Sequence, residues 1–445
     1  MGSLEKCLSR CTTCPDKTLH RALSSDTIMQ RNTSIQKSSP PYSFKKNFYG
    51  GGWGSRQHKN ARLTVMCGLL TFLIFRGSIG VQTAEFENFR QQEGTGELNG
   101  ESMSSLPYRL GPSIKDWDEQ RLEWNLKNPG RNVTRDGKPR IMLVTSSQPK
   151  ACKGDVGDHY LLKGLKNKID YARIHDMDIY YNMAVMHEEM DDVWIKLPII
   201  RKMMLAHPEA EWIWWMDSDA LFTDMEFKLP MKKYVNHDMV IHGFSWKVFD
   251  DKDWCGLNAG VFLVKNNQWT LDFLDMWAPL GENRGENRDV VGRLFTESLT
   301  GRPQNFEADD QSGLVYLLNS MKETLSPKVF LEHSFYLHGL WVILSDKYEQ
   351  YMQEFRPGFG DHRWPFITHF VGCKTCSGAY GDYNQERCTT QMDRAFNFAD
   401  NQVLRIFGFQ HNSLTDSKVS RVRKDTDRPV ALLKENLWTN STILF

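Results

Sequence analysis

The sequence predicts an α/β fold, a largely parallel central sheet flanked by helices. Two observations carry this. Short apolar runs bounded by turn residues recur along the middle of the chain, and helical patterns with apolar residues three and four apart lie between them. No internal repeat interrupts the alternation. Taken in order, Arg140-Ile-Met-Leu-Val-Thr-Ser146 reads as a buried strand and 178–183 as a second. Residues 193–205 have helical spacing. Trp212-Ile-Trp-Trp-Met216 is a continuous apolar and aromatic strand that ends in Asp217-Ser-Asp219, and two further strands follow at 239–244 and 259–264.

The region before this alternation has a different composition. Residues 1–62 are rich in Ser, Thr, Lys, Arg and Gly and read as a disordered tail. Residues 63–81 are apolar apart from Arg76 and just reach the roughly 17–20 residues that cross a bilayer, provided that Arg76 snorkels to an interface. Lys45, Lys46, Arg56, Lys59 and Arg62 precede this span, whereas Glu85, Glu87, Glu93 and Glu97 follow it. The positive flank stays cytosolic, so the bulk of the chain is expected in a lumen. Residues 82–107 read as a stem and 108–445 as one globular region.

Composition bounds the function. Lys+Arg and Asp+Glu both number 55 in 445 residues, so no basic excess points to a nucleic-acid partner. Aromatic residues make up 12% of the chain, with 14 Trp, which suits both a large core and a protein that handles carbohydrate. His369, Cys373, Cys376 and Cys388 have the elements of a zinc site, but a single Cys-x-x-Cys in an oxidising lumen favours disulfides. Asn132-Val-Thr134 and Asn440-Ser-Thr442 are glycosylation sequons.

The chemistry concentrates at Asp217-Ser-Asp219. In open α/β sheets ligands bind beyond the carboxyl ends of strands. A strand that ends in two carboxylates therefore offers hard oxygen donors to Mn²⁺ or Mg²⁺, which in turn can neutralise a nucleotide diphosphate. A bare Asp-x-Asp also caps turns and helices in many proteins. The stretch Glu211-Trp-Ile-Trp-Trp-Met-Asp-Ser-Asp-Ala-Leu-Phe-Thr-Asp224 nevertheless resembles the core of glycosyltransferase family 34, the plant xyloglucan 6-xylosyltransferases and galactomannan galactosyltransferases. Asp158-His-Tyr-Leu-Leu162, Gly256-Leu-Asn258, Phe306-Glu-Ala-Asp-Asp-Gln-Ser312, Tyr336-Leu-His-Gly339, Trp364-Pro-Phe-Ile-Thr-His-Phe-Val-Gly-Cys-Lys374 and Ala395-Phe-Asn-Phe-Ala-Asp-Asn-Gln402 extend the resemblance.

The resemblance implies a GT-A fold behind one transmembrane helix, a UDP-sugar donor and Mn²⁺ or another divalent cation. It implies that Asp217, Asp219 and His369 bind the metal, and that Asp217, Ser218, Asp219, Asn258 and Lys374 hold the nucleotide sugar. Asp309, Asp310 and Gln311 are the implied catalytic residues. Read without the family, His369 is a packed strand histidine, Lys374 a surface lysine, and Glu307-Ala-Asp-Asp-Gln311 a helix start. The resemblance further implies a retaining transfer of xylose from UDP-xylose to O6 of glucose in a β-1,4-glucan. The setting would be the Golgi membrane, single-pass type II, alone or in a homo- or hetero-oligomer with related glycosyltransferases. Leu257-Asn-Ala-Gly-Val-Phe-Leu263 reads more like the galactosyl branch, which keeps α-1,6-galactosyl transfer to β-1,4-mannan as the alternative. A non-catalytic scaffold of the same fold and a lectin-like module are the rivals from other classes.

Overall fold

The computed structural model describes residues 109–423 apart from residue 382, so the expected tail, anchor and stem and the sequon at Asn440 lie outside the described residues. No helix among the described residues is long and apolar enough to cross a membrane. The chain runs α1 (Trp117–Lys127), β1 (Ile141–Ser146), α2 (Gly157–Ile174), β2 (Asp178–Asn182), α3 (Lys196–Ala206), β3 (Trp212–Met216), β4 (Ala220–Phe222) and β5 (Met239–Gly243). It continues through α4 (Ser245–Phe249), β6 (Leu257–Lys265), α5 (Gln268–Trp277), α6 (Asn287–Ser298), α7 (Asp310–Ser320), β7 (Val329–Glu332), β8 (Gly339–Leu340) and β9 (Ile367–His369). It ends in α8 (Gln385–Ile406), β10 (Phe409–His411) and β11 (Val419–Arg421).

The main sheet has the order β2-β1-β3-β6-β5-β7. Its strands alternate side chains between two cores. In β3, Ile213 and Trp215 enter the core on one face, while Trp212, Trp214 and Met216 enter the other. Phe262 and Val264 of β6 join the first core, and Val261 and Leu263 join the second. A strand buried on both faces reads as a continuous apolar run, which is why these segments stand out in the sequence.

The sheet is mixed rather than largely parallel. β6 runs antiparallel to both β3 and β5, whereas the β1–β2, β1–β3 and β5–β7 pairs are parallel. The connection explains the reversal. Gly243 at the end of β5 pairs with Leu257 at the start of β6, so the chain turns back at the same edge without the long crossover that a parallel neighbour requires. An apolar run carries no mark of its direction. β7, absent from the expected strands, closes the far edge of the sheet beside β5.

A second sheet, β4-β9-β8, was not expected at all. It places β9 against β4 with His369 opposite Ala220. Two disulfides, Cys152–Cys376 and Cys373–Cys388, tie the loop after β9 to the start of α2 and to α8. The cysteines near His369 are thus paired with cysteines, as the spacing favoured.

Candidate active site

The turn after β3 delivers Asp217-Ser-Asp219 to the carboxyl edge of the sheet. Asp217 is fixed from three directions. Its backbone N–H donates to the Gly260 carbonyl at 2.8 Å, the Trp215 indole N–H donates to its Oδ1 at 2.6 Å, and the Lys196 ammonium lies 3.4 Å from the same oxygen. The carbonyl of Asp219 accepts the Phe370 N–H at 3.0 Å, which is how the β4–β9 pairing brings His369 over the acidic turn. His369 Nε2 then meets Asp219 Oδ1 at 3.1 Å. One donor atom from each of Asp217, Asp219 and His369 falls within 4.8 Å of the others.

Two carboxylates and one imidazole make a donor set of hard oxygen and borderline nitrogen that suits Mn²⁺. Burial alone would raise the Asp219 carboxyl, but the His369 charge and hydrogen bond hold it below its usual range. Burial alone would lower the His369 imidazole, and the Asp219 and Asp217 charges lift it above its usual range instead. The other ring nitrogen of His369, Nδ1, lies 3.0 Å from Nδ1 of His338. Burial, then the neighbouring His369 and His242, keep His338 well below the ordinary histidine range, so it is neutral and able to accept. A His369 that offers Nε2 to a cation carries its proton on Nδ1, and His338 is placed to take that hydrogen bond.

Lys196, at the start of α3, was not among the expected site residues. It is buried, its ammonium 2.5 Å from Asp310 Oδ2 and donating to the Ala259 carbonyl at 2.9 Å. Burial opposes the charge, yet the Asp217 and Asp310 carboxylates push the ammonium up to about 12. Burial pushes the Asp310 carboxyl up to about 6 against the pull of Lys196. One buried cation thus joins the acidic turn to the N-terminus of α7. A lysine within an otherwise apolar stretch at 193–200 is the signal that could have found it. Lys168 of α2 is the second such residue. It is buried and donates to the Ala220 carbonyl at 2.6 Å and the Ser218 carbonyl at 3.3 Å, and burial lowers it to about 8. Ser218 is thereby held through its backbone.

The expected trio at 309–311 separates into two roles. Asp309 caps α7, accepting the Ser312 N–H at 2.8 Å, and pairs with Arg302 at 3.1 Å, so both its oxygens are engaged. Asp310 faces Lys196. Gln311 faces Asn258, whose side-chain N–H donates to Gln311 Oε1 at 3.2 Å, while Gln311 donates to the Trp254 carbonyl at 3.0 Å. Asn258 Oδ1 accepts the Gly260 N–H at 3.0 Å, which links Gln311 to the strand behind the acidic turn. Lys374 is exposed on the disulfide-tied loop after β9, and its ammonium pairs with no group among the described residues. The structure therefore gathers Asp217, Asp219, His369, Asp310, Gln311 and Asn258, and leaves Asp309 on Arg302.

Gly260 is the position that allows the gathering. A Cβ there would lie 2.2 Å from His369 Cε1 and 2.9 Å from Asp217 Oδ2. A glycine inside an apolar strand is a recognised sign of close approach, and here the approaching groups are two of the donors. Gly260→Ala is expected to displace His369, costing about 1–3 kcal/mol of stability and roughly a hundredfold in turnover. Calorimetric titration with Mn²⁺ should show weakened binding. Wild-type Mn²⁺ affinity in Gly260→Ala would mean that the trio is not the metal centre.

Comparison with known proteins accords with this geometry. The sequence model of the galactosyl transferase GMA12/MNN10 family, glycosyltransferase family 34, matches residues 137–379. Probable xyloglucan 6-xylosyltransferase 3 of Arabidopsis thaliana is 50% identical over 392 residues, covering 83% of this chain and 85% of that protein. Xyloglucan 6-xylosyltransferase 2 of the same plant is 56% identical over 330 residues, covering 74% and 71%. Probable glycosyltransferase 2 of Oryza sativa subsp. indica is 47% identical over 433 residues, covering 87% and 89%. With the family matched across the main sheet, the acidic turn and the β4-β9-β8 sheet, this chain belongs to glycosyltransferase family 34 and is a glycosyltransferase.

Proposed function

We propose that the protein transfers xylose from UDP-xylose to O6 of glucose units in a β-1,4-glucan, with retention of configuration, on a GT-A fold. The observation that carries the reading is the single cluster in which Lys196 joins the Asp217-Asp219-His369 donor set to Asp310, beside Gln311. A scaffold or a lectin has no use for such a cluster. The names of the plant relatives supply the sugar and the acceptor.

Asp217, Asp219 and His369 would hold a divalent cation, which when bound supplies positive charge to the diphosphate of the donor. Lys374, exposed on the loop after β9, would offer its ammonium to the same leaving group. The Gln311 carbonyl dipole steadies positive charge that develops on the sugar ring. We favour attack on the same face as departure, the departing phosphate taking the acceptor hydroxyl's proton. Asp310 is paired with Lys196 and Asp309 with Arg302, and a neighbouring cation weakens a carboxylate as a nucleophile. Gln311→Ala is expected to lower kcat by on the order of 10²-fold while UDP binding by calorimetry stays intact. A xylosyl adduct trapped on Asp309 or Asp310 and seen by mass spectrometry would exclude this route.

We place the catalytic region on the lumenal side of a Golgi membrane, behind a type II anchor. The two disulfides support an oxidising compartment. The decisive experiment incubates the protein with Mn²⁺, cello- or manno-oligosaccharides, and UDP-xylose or UDP-galactose in turn. Galactose on manno-oligosaccharides, with no xylose on cello-oligosaccharides, would replace this reading with its sister activity, towards which Ala259 and Val261 point.

A further inference from the structure

The chain between β5 and β6 is longer than a hairpin needs. Residues 244–256 leave the carboxyl edge of β5 and return at the start of β6 beside Asn258, so the excursion stands on the same edge as the donor set and Gln311. It is firmly built. The Phe244 N–H donates to the Gly256 carbonyl at 2.9 Å, Asp253 N–H to Lys247 carbonyl at 2.9 Å, and Gly256 N–H to Asp253 carbonyl at 2.7 Å. A Cβ on Gly256 would lie 2.9 Å from the Val248 nitrogen, so the two limbs are in backbone contact.

This scaffold displays rings. Trp254, whose carbonyl holds Gln311, meets the Phe306 ring edge-on at 5.8 Å, and Phe306 is 43% exposed. The Arg302 guanidinium lies 5.0 Å from the Phe306 ring and ties it to the cap of α7. On the other limb Trp246 is also 43% exposed and leans on Phe244 at 6.4 Å. From Phe244 a continuous series of rings leads inward through His242 at 5.5 Å and His338 at 5.6 Å to His369 at 5.0 Å. Among the described residues the exposed Trp and Phe side chains are Trp246, Phe306, Phe359 and Phe407, so half of them stand on this one rim. The exposed faces of these two rings add nothing to the core, and a surface of separate rings among polar groups suits a polyol better than a protein partner.

We propose that Phe306 and Trp246, carried by Trp254 and the 244–256 excursion, are stacking subsites for the acceptor chain, Phe306 beside the reacting unit and Trp246 farther along. The inference rests on the glucan-acceptor reading above and deepens it. A β-1,4-linked glucose has all its hydroxyls in the plane of the ring, so both of its faces are C–H surfaces that can lie on an aromatic ring. Mannose carries an axial 2-hydroxyl that lifts one face away. The rings therefore favour glucan, which offers either face, over mannan, which offers one.

The test uses the full-length protein with Mn²⁺ and UDP-xylose, and compares cellotriose with cellohexaose. Phe306→Ala is expected to raise KM for both acceptors about three- to tenfold. Trp246→Ala should raise it by as much for cellohexaose alone, with Trp246→Phe restoring most of the loss. KM for UDP-xylose should be the same in all three variants, which shows that the donor site is still folded. Separately, cellohexaose without donor should quench the tryptophan fluorescence of the wild type, and Trp246→Ala should remove most of that quenching. Unaltered acceptor KM in both alanine variants, or no quenching of the wild type, overturns the platform. Ring-dependent cellohexaose binding without xylose transfer would support the platform while refuting the proposed reaction.

Discussion

Asp219→Ala is expected to abolish sugar transfer, by at least about a thousandfold, while the melting temperature stays near that of the wild type. The reason for the first part is the position of the carboxylate. Asp219 is one of three donors gathered within 4.8 Å, and it is the one in contact with His369. Removing it takes away a ligand charge and the partner that orients the imidazole, an effect on the order of several kcal/mol on the barrier. The reason for the second part is that the backbone of Asp219 keeps its bond to Phe370, and His369 keeps His338. The β4–β9 pairing therefore survives the substitution. Calorimetric titration should show Mn²⁺ binding lost together with turnover. Near-normal turnover with Mn²⁺ present would sink the site assignment.

Lys196→Met is expected to damage both stability and activity. The side chain is buried with its charge on Asp310 and Asp217, so its loss leaves two like-charged carboxylates facing each other without a cation. Breaking a buried pair in this way costs about 3–5 kcal/mol, which for a domain of this size lowers Tm by roughly 5–8 °C. The deficit should depend on pH in a definite direction. An acid whose folded pKa is raised loses stability on ionising, and the loss is complete above the folded pKa and absent below the unfolded one. Asp310 already lies at about 6, through burial, with Lys196 pulling it down from higher. Without the lysine it moves up further, so the deficit is full near pH 8 and shrinks as Asp310 takes up a proton towards pH 5. A melting temperature within 2 °C of wild type at about pH 8 would contradict the coupling. Turnover at a temperature where the variant is folded separates the catalytic loss from the thermal one.

The chain shows why some of this was legible and some was not. Strands β1, β3 and β6 announce themselves because both faces are buried, and burial on both faces leaves only apolar residues to choose from. The acidic turn is legible for a related reason, since Asp217-Ser-Asp219 breaks a fully apolar run at the edge of the sheet where ligands bind. Asp309 shows the limit of a motif. Its neighbours in sequence face Lys196 and Asn258, yet its own oxygens meet Arg302 and Ser312. Lys196, His338 and Gly260 were missed because each matters only through a contact across the fold.

What the sequence by itself determined is the alternation of elements, the place of the acidic turn and the family, because periodicity and motif are properties of neighbouring residues. What only the tertiary structure decided is the direction of β6, the small sheet that lays His369 against Asp219, and the buried lysine that joins Asp217 to Asp310. Those depend on which elements meet across the fold; His369 and Asp219, 150 positions apart, do so at 3.1 Å. Hydrophobic patterning is blind to such meetings, since it records which face of an element is buried and not which partner buries it.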